Sequence, residues 1–154
     1  MKGIMNRRSI FAVVFSLMTT VIVSQAGLGW TLQESIQRYG QPVGGPLPDE
    51  AGIGRIYYLF KANGCSIGAF YLKGKLSRVV YTEKEALKES NFKAYLFDNA
   101  PQLVWIPTMD SDREWLACTG SLQVNCWAQL NGQRTNLVIA TIEDYDAVRA
   151  AEGS

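Results

Sequence analysis

Ile56-Tyr57-Tyr58-Leu59-Phe60, then Asn63-Gly64, Ser66 to Leu72, Lys73-Gly74, and Leu76 to Tyr81: this stretch decides the fold. The three longer runs are rich in β-branched and aromatic residues and have the length of strands. The dipeptides between them suit the tight turns that demand positive φ. An antiparallel meander of three strands follows.

On its N-terminal side, Trp30-Thr31-Leu32-Gln33-Glu34 has the form of a capping box, with Thr31 placed to accept the Glu34 amide and Glu34 to accept the Thr31 amide. Leu32, Ile36 and Tyr39 form one apolar stripe of a short helix, which Gly40 and Pro42 terminate. Pro42 to Gly54 contains three prolines and four glycines and reads as a surface loop, a second candidate for a binding surface. On the C-terminal side, Thr82-Glu83-Lys84-Glu85 repeats the capping pattern. It predicts a helix with Leu87, Phe92, Ala94, Tyr95 and Leu96 on its apolar side, ending near Asn99-Ala100-Pro101. Strand patterns then cover Leu103 to Ile106, Glu114 to Thr119, Val124 to Leu130 and Arg134 to Ala140, and Asn131-Gly132 predicts a two-residue hairpin turn. Thr141 caps a last helix with Ile142, Tyr145 and Val148 on its apolar side.

The expected class is α+β, an antiparallel β-sheet of meander and hairpins with two to three helices packed on one face. Helix followed by strands occurs twice at about 50-residue spacing, a hint of duplication.

The first 26 residues have a different character. Lys2, Arg7 and Arg8 precede an apolar run from Ile10 to Val23, and Ser24-Gln25-Ala26 puts small residues at −3 and −1 of a cut. That is the pattern of a cleaved signal peptide, residues 1–26, and the run is shorter than the roughly 20 residues of a membrane-spanning helix. Residues 27–154 then form a single domain, periplasmic or secreted, with no membrane contact after cleavage. Cleavage takes the chain from 15 to 12 Lys and Arg against 14 Asp and Glu, a formal charge of −2 without a basic run, which argues against a nucleic-acid partner.

All three cysteines, Cys65, Cys118 and Cys126, lie in the exported part. Cys118 and Cys126 flank a turn region and are expected to pair across a hairpin, leaving Cys65 free. The chain has no histidine, which removes Cys-His and Ser-His nucleophile pairs.

The residues Trp30-Thr31, Tyr39-Gly40 with Pro42, and the run Phe70-Tyr71-Leu72-Lys73-Gly74-Lys75-Leu76-Ser77-Arg78-Val79-Val80-Tyr81 resemble a loose group of small secreted bacterial proteins of unknown function. A short helix closed by Gly-x-Pro, followed by a meander with a Gly-Lys turn, also resembles the SmpA/OmlA outer-membrane assembly proteins and the β-lactamase-inhibitor-like fold. The resemblance spans Trp30 to Trp105 and implies binding to proteins rather than catalysis. Those assembly proteins are usually lipoproteins, whereas Gly27 stands where the lipid-bearing cysteine would be.

Asp110-Ser111-Asp112-Arg113-Glu114 begins like a calcium loop. It lacks the glycine at the sixth position and the glutamate at the twelfth, where Ser121 stands, so no metal and no cofactor are expected. Glu83, Glu85 and Glu89 alternate with Lys84 and Lys88 and read as the charged face of a helix. Gly52-Ile53-Gly54 lacks the third glycine of a nucleotide loop, since position 57 is Tyr57.

Aromatic residues are the remaining signal. Tyr58, Phe70, Trp105, Trp115 and Trp127 are the candidate binding residues, because any ring left on an uncovered sheet face would be an interaction surface. The reading that follows is an exported, non-enzymatic binding module for another exported or envelope protein. The alternatives are a small cell-envelope hydrolase using Asp110 and Asp112, and a carbohydrate-binding module using its tryptophans.

Overall fold

The computed structural model describes residues 27–121 and 123–153, so the expected signal peptide lies outside the described residues. Helix α1 (Leu32–Tyr39) is followed by β1 (Gly44–Pro48), β2 (Ile56–Ala62), β3 (Cys65–Leu72) and β4 (Lys75–Thr82). Helix α2 (Glu89–Asn99) is followed by β5 (Val104–Pro107), β6 (Glu114–Cys118), β7 (Val124–Leu130), β8 (Asn136–Thr141) and α3 (Ile142–Glu152). The strands form one antiparallel sheet in the order β1-β2-β3-β4-β8-β7-β6-β5. The class is therefore α+β, as the sequence pattern predicts.

A helix and a four-stranded meander thus occur twice. The two meanders join where β4 pairs with β8, and Val80 opposite Val138 is the middle pair of that joint. Reversing direction about this pair brings β2, β3 and β4 into register with β6, β7 and β8, but not the edge strands: β1 pairs with residues 56–59, whereas β5 pairs with 115–118, the equivalents of 60–63.

Local chemistry accounts for the elements. Thr31 Oγ1 accepts from Glu34 N at 3.3 Å and Thr31 N donates to Glu34 Oε2 at 2.7 Å, the expected capping box. Asn63 and Gly64, like Lys73 and Gly74, have positive φ and close two-residue turns. Thr141 caps α3 by accepting from Asp144 N at 3.2 Å.

Several expectations change. The loop over 42–54 contains strand β1, paired with β2 through Leu47 opposite Tyr57. Gly45, at φ 96°, lies so close to β2 that a Cβ would stand 2.5 Å from the Tyr57 carbonyl oxygen. Pro46 and Pro48 fit because β1 is an edge strand, and β5, the other edge, ends in Pro107; neither edge offers a complete row of N–H donors to another strand.

Helix α2 starts at Glu89, not after Thr82, because Thr82 is held in β4 opposite Asn136. Glu83 and Glu85 precede the helix, Leu87 reaches the core from coil, and Ala94 is exposed. The Asn131-Gly132 turn spans five residues, with positive φ at Arg134; Asn131 Oδ1 accepts from the amides of Thr135 and Asn136 and so lengthens the loop.

The predicted Cys118–Cys126 bridge is absent. Cys126 stands opposite Ala117 while Cys118 stands opposite Val124 across an irregular step, so the two are not cross-strand partners, and all three cysteines are free.

Helices α1 and α2 cover one face of the sheet. Phe60, Ile67, Tyr71, Leu76, Val79, Tyr81, Leu137 and Ile139 from the strands pack there against Phe92 and Leu96 of α2 and against Ile36 and Tyr39 of α1. Tyr81 Oη ties the layers together, bonded to Tyr39 Oη at 3.0 Å and to Asn99 Nδ2 at 2.8 Å. Burial pushes the Tyr81 and Tyr71 phenols each up to about 12. Helix α3 lies on the opposite face, where Tyr145 packs on Trp127 with centroids 4.8 Å apart.

Candidate functional site

Alternation along the strands sends Tyr57, Leu59, Ser66, Gly68, Phe70, Val80 and Thr82 to the face away from α1 and α2. Together with Leu47, Pro48, Asp49 and Glu50 at the sheet edge they line an open groove of about 440 Å³. Gly68 is its floor. A Cβ there would meet Cε2 of Tyr57 at 3.1 Å, so the absent side chain lets the Tyr57 ring lean over the strand. Tyr57 packs on Phe70 with centroids 4.9 Å apart, and burial pushes its phenol up.

The groove wall is held by charge. Arg55 lies over the Phe70 ring, 4.9 Å from its centroid, and its guanidinium grips Asp49 with one edge. Its Nη1 donates to both carboxylate oxygens of Asp144 at 2.9 Å. Asp144 is 0 % exposed, and Arg78 Nε and Ser77 Oγ also donate to it, at 2.8 and 2.9 Å. A carboxylate so enclosed is tolerable because every partner is a donor and two are cations. Helix α3 is therefore fastened to the sheet by Asp144, with Ile142, Tyr145 and Val148 only half-buried beside it.

The internal symmetry shows what is special about the groove. Across β2, β3 and β4 run the rows Leu59–Gly68–Val80 and Lys61–Ser66–Thr82. The corresponding rows of the second half are Glu114–Gln129–Val138 and Leu116–Trp127–Ala140. Where the first half has Gly68 and Ser66, the second has Gln129 and Trp127. Gln129 Nε2 donates to Glu114 Oε1 at 2.7 Å, and Trp127 is capped by α3. Apolar side chains return on that half at Leu116, Val104 and Ile106 toward its edge.

The five candidate rings divide between the two faces. Tyr58, Trp105 and Trp115 lie on the helix-covered side: Tyr58 meets Tyr71 edge-on, Trp105 Nε1 donates to the Leu96 carbonyl at 3.0 Å, and Trp115 packs on Phe92. Phe70 and Trp127 lie on the other face, and of these only Phe70 lines the groove. Leu47 to Glu50 belong to the 42–54 stretch named as a second candidate surface, whereas Tyr57, Leu59 and Gly68 were not among the candidates. A glycine inside an otherwise strong strand pattern is the signal that marks such a close approach.

The remaining reactive groups are engaged or solvated. Asp110 and Asp112 stand exposed in the turn before β6, and Asp112 pairs with Arg113 at 3.4 Å. Glu83 accepts from Tyr95 Oη at 2.8 Å and Glu89 pairs with Lys93 at 2.6 Å. The Cys65 thiol donates to the Thr82 carbonyl at 3.4 Å and is pushed up by burial and by nearby Glu83; burial pushes Cys126 up to about 11. Thiols so raised are poor nucleophiles at neutral pH. Among the described residues no group of three His, Cys, Asp or Glu side chains is placed to hold a metal ion.

No protein-family model matches the sequence, no curated protein matches it, and no solved structure matches its fold.

Proposed function

We propose that the protein is an exported, non-enzymatic binding module that holds another exported or envelope protein in the groove on the outer face of β1–β4. The observation that carries this reading is the contrast between the two halves. At corresponding positions, the second half carries Trp127, capped by Tyr145, and Gln129, bonded to Glu114, while the first half carries Ser66 and Gly68 in a hollow, apolar and open groove. An uncovered concave apolar surface with aromatic walls is the usual form of a protein-binding site. The groove's own carboxylates favour binding over hydrolysis: Asp49 is engaged by Arg55, and Glu50 lies exposed on the rim. Trp115 is buried and Trp105 half-buried against α2, which argues against a carbohydrate platform that needs its rings in solvent.

The test is capture from periplasm or medium with the 27–154 chain as bait, comparing wild type with Gly68→Gln and Gln129→Ala. A specific protein retained by wild type and Gln129→Ala, and lost with Gly68→Gln, is the expected result. Equal capture by all three would place binding elsewhere.

A further inference from the structure

We infer that the groove takes a large aromatic side chain, tryptophan by preference, projected from the partner; this rests on the protein-binding reading above. The molecule carries its own example of how this sheet face is filled. Ser66 and Trp127 are equivalent about the Val80–Val138 pair: Ser66 stands opposite Thr82, and Trp127 opposite Ala140. In the second half the indole occupies the face and receives the Tyr145 ring. In the first half Ser66, with Gly68 beside it on the same face, leaves that volume empty within the 440 Å³ groove. A tryptophan from outside would restore the arrangement of the filled half.

The lining suits a flat ring better than a branched aliphatic chain. Gly68 allows a ring to lie directly on backbone, and Tyr57 and Phe70, tilted 47° to each other, present aromatic walls. Ser66 and Thr82 add hydroxyl oxygens able to accept from an indole N–H, and Glu50, exposed at the rim, favours a neutral or basic flank over an acidic one.

The experiment is NMR of the 27–154 chain with labelled methyl groups at Leu47, Leu59 and Val80, titrated with N-acetyl-tryptophanamide and, separately, N-acetyl-leucinamide. The tryptophan amide should move these methyls saturably and at least several-fold more tightly than the leucine amide, while Val138 and Leu116 stay still. Ser66→Trp, which carries the occupant in the chain itself, should abolish the shifts. If that variant does not fold, Gly68→Gln, copied from the other half, serves the same purpose. Methyls unmoved by the tryptophan amide, or moved equally by the leucine amide, would overturn the inference while leaving protein capture standing. Shifts with tryptophan amide, together with capture that ignores Gly68→Gln, would support the aromatic site and sink the protein-binding reading instead.

Discussion

The two halves of the sheet share a backbone plan and differ in what stands on it. On the inner side both bury apolar chains in one continuous core, and the ladder between β4 and β8 makes them a single sheet. On the outer side Trp127 of the second half is capped by Tyr145 of α3, whose Asp144 reaches across to Arg55, Arg78 and Ser77 of the first half. The first half puts glycine and serine, poor strand formers, in the middle of its best strand and has no helix laid over them. Folding alone does not require that choice, since the other half shows the filled alternative at the same positions. Where a repeated scaffold departs from its own pattern at a cost in packing, the departure points to use.

The largest effect should come from cutting the clasp by which α3, lying on Trp127 of the second half, is fastened to the first. Asp144→Ala leaves Arg55 and Arg78 without their buried anion and should cost about 3–5 kcal/mol in denaturant unfolding, with Trp127 emission moving toward that of a solvated indole. A loss below about 1 kcal/mol would show that α3 is dispensable and that the two outer faces differ less than described.

The next effect concerns what the halves share. Tyr81 and Tyr71 titrate at about 12 in the folded chain and at an ordinary 10.0 when unfolded. Raised folded values mean that the stability they contribute is whole below pH 10 and is lost as pH rises toward 12, because the unfolded chain releases those protons first. A single cooperative transition should weaken across that window. Two separate transitions would split the core into independent halves.

Smaller again are the mirrored exchanges. Trp127→Ser copies the first half into the second and should cost about 1–3 kcal/mol through the lost ring contact and burial. Gly68→Gln copies the second half into the first and should move stability by less than about 1 kcal/mol, since the backbone there is ordinary and the Tyr57 ring can swing outward. Equal costs in both directions would mean that the hollow is packed as tightly as the filled face. The smallest effect should be that of a reductant, which leaves the thermal midpoint unchanged, while denatured protein yields three reactive thiols. Fewer than three would restore a bridge in the second half.

What the sequence made legible was local. Thr31 with Glu34, Asn63-Gly64 and Lys73-Gly74 act within four residues, and each stands as read. Strand β1 was hidden because its prolines and glycines argue for a loop, and only pairing with β2 makes an edge strand of them. Asn131-Gly132 misled because the Asn131 side chain captures two amides that a tight turn would have left to the backbone. The groove was out of reach for a different reason: Leu47, Leu59, Gly68 and Val80 meet only through the register of four strands. Asp144 carries no signal in the sequence beyond its place just after Thr141, and its burial depends on arginines 66 and 89 residues away.

That distance has a consequence for how the molecule is made. A chain made N-terminus first completes the whole β1–β4 sheet, and the wall of its groove, before residue 144 is added. Until then Arg55 and Arg78 have no buried carboxylate to meet, and the outer face stays loose. Helix α3, made after that sheet, is thus the element that fixes the wall of the first half's groove. A nascent or truncated chain lacking α3 would carry every groove-lining residue, with Arg55 held by Asp49 alone and without its second carboxylate.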